Sequence, residues 1–325
     1  MRLPHNLVES QFFIFSERED FLKAVDSVVD HEELQRINKL IEGGGMPITS
    51  KEVLATMFGV NPGIVWSFIN KPDRHYRKFS IPKGKGKRSI LAPKVGLKVI
   101  QKWISYQLQG KARFPDHVFG FVPGRSHIDA AVRHTSARWV YSIDLEDFFP
   151  STPRSLIASS LCSFGYDFKS SELISKLSCY DGGLAQGAPS SPVLSNIAMF
   201  EVDTALAELA EELGIRITRY ADDITFSSEG VYPSSLPERL STIFYSTPWK
   251  ISKKKTYFSV APKRMKVHGL IVNCGEVKLT KGYRNKLRAY RHVLQSGLCK
   301  KEDACRLEGH LNYYSQVIKH RDSST

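Results

Sequence analysis

Two adjacent carboxylates are the most informative feature of this sequence. Asp222 and Asp223 lie between two short runs of strand-forming residues, 215–220 and 224–227. This pattern predicts a β-hairpin whose tight turn carries both acids. Neighbouring like charges repel each other, and a fold tolerates them mainly where a cation lies between them. A solvated turn is the alternative, because aspartate is a common turn former. Features elsewhere in the chain are needed to distinguish a metal-binding turn from a solvated one.

A third carboxylate, Asp144, ends the apolar run 139–144, which predicts a strand upstream of the hairpin. If neighbouring strands bring the three acids together, they can hold two divalent cations ~3.5–4 Å apart. Such a pair lowers the pKa of an attacking hydroxyl and neutralises charge on a phosphate during transfer. Two Mg²⁺ ions are expected, with Mn²⁺ as a possible substitute, because the ligands are hard oxygens without a His or Cys companion.

The charge of the chain is concentrated in two basic blocks around an acidic centre. Residues 249–325 carry a net charge of +13 and residues 71–113 a net charge of +12, whereas the remaining residues sum to −12. This layout suits a polyanion held on two sides of a metal-binding centre. A solvated charged face is the alternative for either block taken alone.

Composition restricts the class of protein. The 42% hydrophobic content is typical of a globular chain, and 325 residues suffice for two or three subdomains. No apolar run reaches membrane-spanning length, and residues 1–20 show no signal region, so we expect a cytoplasmic protein with no membrane partner. The cysteines form no CxxC pair and are predicted to be reduced thiols: Cys162, Cys179, Cys274, Cys299 and Cys305.

Periodicity and turn residues place these features on elements. We predict helices over 1–48, a capping box at 49–52 that opens a helix pair reaching residue 69, and a hairpin at 76–93 with a cationic turn. Further predicted helices cover 95–109, 153–164 and 193–213, and a basic helix follows residue 281.

Five segments over residues 75–290 carry a family resemblance: Asp144–Phe149, Gln186–Pro192, Tyr220–Asp223, Lys253–Thr256 and Lys266–Leu270. In this order they resemble the first carboxylate motif, the loop beneath the templating base, the polymerase box, the lysine motif and the primer hairpin of the prokaryotic reverse transcriptases. The resemblance is close to the retron and group II intron enzymes. The resemblance implies an α+β right-hand polymerase with fingers, a palm built on an antiparallel sheet, and a helical thumb.

Boundaries follow from the same resemblance. We expect an N-terminal helical region at 1–70, fingers at 71–135, a palm with finger insertions at 136–275 and a basic helical thumb at 276–325. The chain ends about one hundred residues after Asp223, which leaves room for a thumb and for no maturase or endonuclease domain.

The resemblance assigns roles residue by residue. It implies that Asp144, Asp222, Asp223 and the Leu145 carbonyl bind metal, and that Lys255, or its neighbour Lys254, is the acid for pyrophosphate. Residues implied to bind the incoming dNTP are Arg88, Lys87, Asp147, Phe149, Gln186 and Gly187, with Lys83 or Lys85 as helpers of Arg88. Phe149 matches the ring that crowds a ribose 2′-OH, and a core phenylalanine is the alternative. Residues implied to bind nucleic acid are His134, Tyr220, Lys254, His268, Gly269, Arg284, Arg288 and Arg291.

Two segments depart from the retron pattern. Retron enzymes usually carry Asn-Ala-x-x-His, whereas residues 130–134 keep only the histidine, His134. They also tend to have Val-Thr-Gly in the primer hairpin, where this chain has Val267-His268-Gly269. The retron resemblance still implies a structured noncoding RNA as template and primer, priming from a guanosine 2′-OH, a branched multicopy DNA product (msDNA), and an antiphage role with a separate effector protein.

Two other functions stay open on the sequence. A free-standing group II intron-like or abortive-infection reverse transcriptase would extend ordinary 3′-OH primers. A nucleic-acid-binding regulator would use the helix pair at 49–70 as a reader and keep a vestigial palm.

Overall fold

The computed structural model describes residues 3–84, 86–273, 275–297 and 299–322 and divides into two compact units. Unit 1 comprises Met1–Phe114 and Asp147–Glu201, and unit 2 comprises Pro115–Glu146 and Val202–Thr325. Helices surround small antiparallel sheets, so the α+β class predicted from the sequence is confirmed. No helix among the described residues is both long and apolar enough to cross a membrane.

Unit 1 is mainly helical. Its elements are α1 (His5–Glu9), α2 (Arg18–Asp26), α3 (His31–Glu42), α4 (Lys51–Phe58), α5 (Pro62–Asn70), a 3₁₀ turn (Pro72–Arg74), the hairpin of β1 (Tyr76–Lys83) and β2 (Gly86–Pro93), and α6 (Val95–Lys111). After the excursion into unit 2 come α8 (Arg154–Ser163), α9 (Phe168–Ser178), the short pair β4 (Cys179–Tyr180) and β5 (Gly183–Leu184), and α10 (Ser191–Ala198).

The core of unit 1 forms around α6. Trp103 of this helix is fully buried, packs edge-on against Phe58, and donates from its indole N–H to the Ser10 carbonyl at 2.8 Å. Gln101, also buried, donates its amide to the Tyr76 hydroxyl and to the Leu177 carbonyl. Because buried polar groups must be paired, these bonds fix the N-terminal helices, the β1–β2 hairpin and α9 around one helix.

Unit 2 is built on a four-stranded antiparallel sheet in the order β6–β7–β3–β8. Its elements are α7 (His127–Val132), β3 (Trp139–Asp144), α11 (Phe200–Glu212), β6 (Arg216–Tyr220), β7 (Asp223–Ser228), α12 (Leu236–Tyr245), β8 (Tyr257–Val260), the hairpin of β9 (Lys266–Val267) and β10 (Leu270–Ile271), α13 (Lys281–Gln295) and α14 (Lys301–Asp322). A second apolar core joins Val140 of the sheet to the β9–β10 hairpin and to Leu287 and Val317 of the last two helices.

Two local predictions are corrected. The helix expected over 193–213 is two helices, α10 and α11, which separate at Met199 although no glycine or proline marks the break. The N-cap of α4 is Ser50, whose side chain accepts from the Val53 amide, and Thr49 instead donates its hydroxyl to Glu33. A tertiary partner for Thr49 therefore moved the cap by one residue.

The other predicted elements lie within a few residues of the observed ones. The β1–β2 hairpin, α6, β3, the β6–β7 hairpin and α13 all form where the pattern predicts them. Helix α9 was missed, since its short serine-rich sequence has no strong period. Four of the cysteines are free thiols here (Cys162, Cys179, Cys299 and Cys305), whereas Cys274 lies outside the described residues.

Candidate active site

The register of the unit 2 sheet brings the three acids together. Asp144, the last residue of β3, pairs directly with Asp223, the first residue of β7. One residue further along, the Leu145 amide donates to the Asp222 carbonyl at 3.0 Å. Since directly paired residues in antiparallel strands share a face, the carboxylates of Asp144 and Asp223 lie side by side. Neighbouring strands of the sheet thus bring Asp144 next to Asp222 and Asp223, as the sequence predicts.

The turn between β6 and β7 consists of two residues, Ala221 and Asp222, which we call the acidic turn. Ala221 has φ +60, whereas the positive-φ residues do not include Asp222. A two-residue hairpin with positive φ at its first central residue matches a type II′ turn, a position that usually holds glycine. An alanine in this left-handed region costs about 1–2 kcal/mol, so the surrounding structure must hold the turn in place.

A buried ion pair holds the acidic turn from one side. Arg219 and Asp203 are both fully buried, and the guanidinium donates two bonds to the carboxylate, at 2.6 Å from Nε and 2.5 Å from Nη2. The same guanidinium donates from Nη1 to the carbonyl of Ala221 at 3.2 Å. The planar fork of arginine suits this bidentate geometry. Helix α11, which carries Asp203, is thereby fixed to the strained residue of the turn.

A close backbone approach supports the acidic turn from another side. Val118 forms an isolated parallel β-bridge with Arg219, and the amide of Phe119 donates to the Arg219 carbonyl at 2.8 Å. A Cβ added at Gly120 would lie 2.3 Å from the Ala221 amide nitrogen, a distance that real Cβ atoms do not show. Position 120 therefore has room for glycine alone.

Sequence pattern alone does not reveal these supporting residues. Arg219 precedes the polymerase box and is not part of that motif, and Asp203 looks like an ordinary polar position of a helix. Gly120 carries a weak local signal, a glycine between Phe119 and Phe121. Their importance depends on contacts between segments far apart in the chain, which periodicity does not reveal.

Negative charge accumulates at the carboxylates. Burial raises the pKa of the Asp222 carboxyl above its usual range, and the nearby charges of Asp144 and Asp223 raise it further, whereas Lys255 lowers it. The Lys255 ammonium forms an ion pair with the Asp144 carboxylate. A divalent cation binds hard oxygen ligands and would relieve the repulsion among these carboxylates, so the three side chains fit such an ion. As placed, the described residues contain no group of three or more His, Cys, Asp or Glu side chains arranged around a metal position.

The lysine segment is fixed to the backbone around Asp144. The Ser252 amide donates to the Asp144 carbonyl at 2.8 Å, and the Glu146 amide donates to the Lys250 carbonyl at 2.9 Å. The following turn closes when the Lys255 amide donates to the Ser252 carbonyl at 3.1 Å. Lys254, the alternative for the acid, is exposed on this turn. The ion pair makes Lys255 the lysine that reaches the acids in this structure.

The predicted primer hairpin forms between β9 and β10. His268 and Gly269 are its two turn residues, with φ of +48 and +85, which match a type I′ turn. The His268 ring approaches Asp223, with Nδ1 3.0 Å from Oδ2. The histidine that replaces the family's usual threonine is therefore a direct neighbour of one predicted metal ligand, and exposed Gly269 lies beside it.

Aromatic rings surround the tyrosine of the polymerase box. Half-buried Tyr220 lies 5.6 Å from the His268 ring, 6.0 Å from His127 and 6.4 Å from Phe121, measured between ring centroids. His127 in turn stacks on Tyr313 of α14 at 5.4 Å. The last helix of unit 2 is thereby connected to the polymerase box.

His134 lies in the interior, which corrects its prediction as a nucleic-acid contact. The side chain is fully buried, and its ring nitrogens lie 2.6 Å from the Ser227 hydroxyl and 2.8 Å from the Thr218 hydroxyl. Burial lowers the pKa of His134 to about 3, so the ring is neutral at physiological pH. A neutral ring without exposed surface fastens α7 to the sheet and does not reach a phosphate.

Unit 1 brings together the residues predicted to bind the nucleotide. The Leu91 amide of β2 donates to the Gln186 carbonyl at 2.8 Å, and a Cβ added at Gly187 would lie 2.9 Å from Ile90. The strand that carries half-buried Arg88 and exposed Lys87 therefore packs on the Gln186–Gly187 loop.

The loop with Asp147 and Phe149 is tied to the same region of unit 1. Leu184 donates its amide to the Thr152 carbonyl at 3.1 Å, and a Cβ added at Gly183 would lie 2.2 Å from the Pro150 carbonyl oxygen. Asp147 is exposed with φ +44, and Phe149 is half-buried, its ring centroid 5.4 Å from that of Phe148.

The other cationic candidates lie on exposed surfaces. Arg284, Arg288 and Arg291 are exposed along α13. Lys85 lies outside the described residues, and so does the side chain of Lys83.

Comparison with known proteins identifies the family. A family model described as reverse transcriptase (RNA-dependent DNA polymerase) matches residues 69–272. The chain belongs to the reverse transcriptase family. This membership assigns the right-hand polymerase class that the sequence predicted, and enzymes of the family use divalent metal ions.

Curated relatives of this reverse transcriptase are retron enzymes. The Retron Ec86 reverse transcriptase of Escherichia coli is 32% identical over 233 residues, which cover 70% of this chain and 73% of that protein. The Retron Mx65 reverse transcriptase of Myxococcus xanthus is 32% identical over 273 residues, covering 76% of this chain and 64% of the relative. The Retron Mx162 enzyme of the same organism is also 32% identical, over 78% of this chain and 59% of its own length.

Replacing Gly120 with alanine tests the close approach behind the acidic turn. The added methyl would collide with the backbone at Ala221, so we expect DNA synthesis on an RNA template to fall at least about tenfold. The measurement is kcat on an annealed primer–template. Gly110→Ala is the matched control, because a Cβ there meets no atom within 4 Å. Equal activity of the two variants would contradict the steric account.

Replacing Asp203 with asparagine tests the buried ion pair. It removes the negative charge that faces the buried Arg219 guanidinium, which costs about 3–5 kcal/mol of unfolding free energy in chemical denaturation. The control Glu212→Gln breaks an exposed bidentate pair with Arg239, and the unfolding free energy should change little because solvent screens this pair. A double variant, Asp203→Leu/Arg219→Met, should recover stability without recovering kcat, because the Ala221 carbonyl still lacks its donor. Full activity of the double variant would show that Arg219 has no positioning role.

Replacing Asp222 with asparagine should stabilise the protein in EDTA while abolishing polymerisation. A raised folded-state pKa means that ionising Asp222 weakens the folded state, so the wild type loses stability as pH rises from the ordinary Asp range through the raised pKa. The gain in Tm, a few degrees at neutral pH, should therefore shrink as pH falls. Added Mg²⁺ should also reduce it. Asp181→Asn, at the exposed β4–β5 turn, is the control. A variant less stable than wild type at neutral pH would refute the electrostatic account.

Proposed function

We propose that this protein is the RNA-directed DNA polymerase of a retron. The observation that carries the proposal is the pairing of Asp144 with Asp223 beside Asp222, in a chain of the reverse transcriptase family whose relatives are retron enzymes. A regulator with a vestigial palm has no need for three mutually repelling carboxylates, a strained turn and a buried ion pair that supports it. The expected divisions into fingers (71–135), palm (136–275) and thumb (276–325) remain part of this proposal.

The proposed metal ligands are the carboxylates of Asp144, Asp222 and Asp223 together with the Leu145 carbonyl. Two Mg²⁺ ions, or Mn²⁺ in their place, would activate the attacking hydroxyl and neutralise charge on the departing pyrophosphate. Lys255 is the proposed proton donor to pyrophosphate. The ion pair of Lys255 with Asp144 supports this role, because the ammonium offsets part of the negative charge of a proposed metal ligand.

The proposed nucleotide site lies on unit 1. Arg88 and Lys87 of β2 would bind the triphosphate, and the loop of Gln186 and Gly187, onto which β2 packs, would contact the base and sugar. Gly187 has φ +126, a conformation that L side chains rarely adopt, which lets the backbone approach the nucleotide. Phe149 would crowd a ribose 2′-OH, and exposed Asp147 belongs to the same loop.

Nucleic acid would be held through its backbone. The exposed arginines of α13 (Arg284, Arg288 and Arg291) and Lys254 would contact phosphates and 2′-hydroxyls, reading duplex shape over sequence. His268, Gly269 and Tyr220 would contact the primer end near Asp223.

The proposed RNA is a structured noncoding transcript that serves as template and primer. Synthesis would begin from a guanosine 2′-OH and yield msDNA joined to the RNA by a 2′,5′ branch. A separate effector protein would use this product in antiphage defence. These statements rest on the similarity to the named retron enzymes.

Nucleic acid that copurifies with the protein tests this proposal. The protein would be expressed with its native flanking DNA, and the bound material run on a denaturing gel before and after RNase and a 2′,5′ debranching enzyme. We expect a discrete DNA band that shifts with both treatments and is absent from an Asp222→Asn/Asp223→Asn variant. An Asp181→Asn variant controls for the loss of exposed acidic charge.

Other outcomes redirect the assignment. Synthesis only on an added template with a 3′-OH primer would move the enzyme to the intron-like branch. Full biological function of the Asp222→Asn/Asp223→Asn variant would favour a binding role instead.

Replacing Phe149 with alanine tests the proposed sugar discrimination. Loss of the ring should raise ribonucleotide incorporation relative to deoxynucleotide incorporation by at least about tenfold, because the 2′-OH no longer meets it. The measurement is the ratio of kcat/KM for rGTP and dGTP on one primer–template. The control is Phe168→Ala, which removes an exposed ring outside the proposed nucleotide site. An unchanged ratio with normal stability would make Phe149 an ordinary packing residue.

A further inference from the structure

An aromatic surface lies on the sheet face opposite the carboxylates. Side chains alternate along β3, so Tyr141 and Asp144, three residues apart, point to opposite faces. Tyr141 pairs directly with Phe258 of the edge strand β8, and the two ring centroids are 6.3 Å apart. Tyr232 packs against both, at 6.0 Å from Tyr141 and 4.5 Å from Phe258. We call these three rings with Tyr245 the aromatic surface.

Much of the aromatic surface is exposed. Phe258 is 47% exposed and Tyr245, the last residue of α12, is 92% exposed. Tyr141 and Tyr245 line a common cleft of about 530 Å³, whose floor includes the buried side chains of Phe244 and Trp249. Phe258 lies next to this cleft through its contact with Tyr141. Exposed large rings at and beside a cleft are typical of binding sites and unusual for a surface that only faces water.

The charge beside these rings is positive. The charged side chains that line the cleft are Lys250 and Lys253, both exposed. Residues 249–266, which include them, contain seven basic and no acidic residues. The surface therefore complements a polyanion that also offers flat apolar faces.

We propose that the aromatic surface and its lysines bind a single-stranded segment of RNA. Unstacked bases stack on aromatic rings, lysines neutralise the adjoining phosphates, and neither contact requires a particular sequence. A duplex would present phosphates but hide its base faces, so the exposed rings favour a single strand. The site lies on the face of the sheet away from Asp144 and is thus separate from the site of polymerisation.

The identity of the RNA rests on the proposed function. For a retron enzyme, the bound segment would be an unpaired part of its own noncoding RNA. Such a contact would keep that RNA attached while another part is copied at Asp144, Asp222 and Asp223. A preference for this RNA over an unrelated strand would appear as a higher binding affinity.

Photo-cross-linking of the full-length protein tests the surface. The probe is a short single-stranded RNA containing 4-thiouridine, added without dNTPs or Mg²⁺ while an excess of unlabelled primer–template occupies the polymerisation site. Mass spectrometry should locate adducts on the aromatic surface, at Tyr245 and Phe258 in particular. Adducts confined to other surfaces would overturn the proposal, including the case in which these rings instead bind an effector protein.

Binding constants supply the second measurement. Under the same conditions the variant Tyr245→Ala/Phe258→Ala should bind the RNA at least about tenfold more weakly. Lys250→Gln/Lys253→Gln should reduce the salt dependence of binding. Phe168→Ala, which removes a 69% exposed ring from unit 1, is the matched control. Affinity equal to that of the control would overturn the proposal. The variant Tyr245→Ala/Phe258→Ala should keep wild-type Tm and kcat on an annealed primer–template.

The failure of this inference differs from a failure of the proposed function. Adducts on the aromatic surface without any branched DNA would support the surface and refute the retron assignment. Branched DNA from a protein without adducts would do the reverse. If the noncoding RNA from the native flanking DNA binds no more tightly than an unrelated strand, the surface would be a general RNA site.

Discussion

The repulsion among three partly buried carboxylates is the constraint on which unit 2 depends. Burial and neighbouring charge already raise the pKa of Asp222, and the turn that presents it holds Ala221 at a positive φ. Neither feature would persist in an isolated hairpin, because the turn would relax, which would separate the charges and relieve the backbone strain at Ala221. The surrounding fold therefore has to supply the restraint.

That restraint comes from several directions at once. The Arg219–Asp203 pair fixes the turn to α11, and the backbone at Gly120 leaves the turn no room to move. On the other side, Lys255 and His268 contact Asp144 and Asp223 directly. A buried ion pair contributes little net stability but fixes geometry, since breaking it leaves a buried charge. The buried pair therefore serves to position the turn more than to stabilise the fold.

The two faces of the sheet show how one element can serve two tasks. Alternation along β3 directs Asp144 to one face and Tyr141 to the other. The carboxylates lie on the first face, and the exposed rings with their neighbouring lysines lie on the second. We propose that nucleic acid is copied at the first face and held at the second, so that the two tasks do not compete for the same side chains.

The sequence by itself determined the local elements and the residue types of the candidate site. Strand β3, the β6–β7 hairpin and helix α13 follow from residue pattern, and the motifs around Asp144 and Asp222 led to the polymerase family. Tertiary structure alone decided that His134 is interior, that Asp203 and Gly120 support the acidic turn, and that Tyr141 and Tyr245 share a cleft. The physical reason is that pattern and propensity report short-range geometry, whereas burial and contact depend on which distant segments the register brings together.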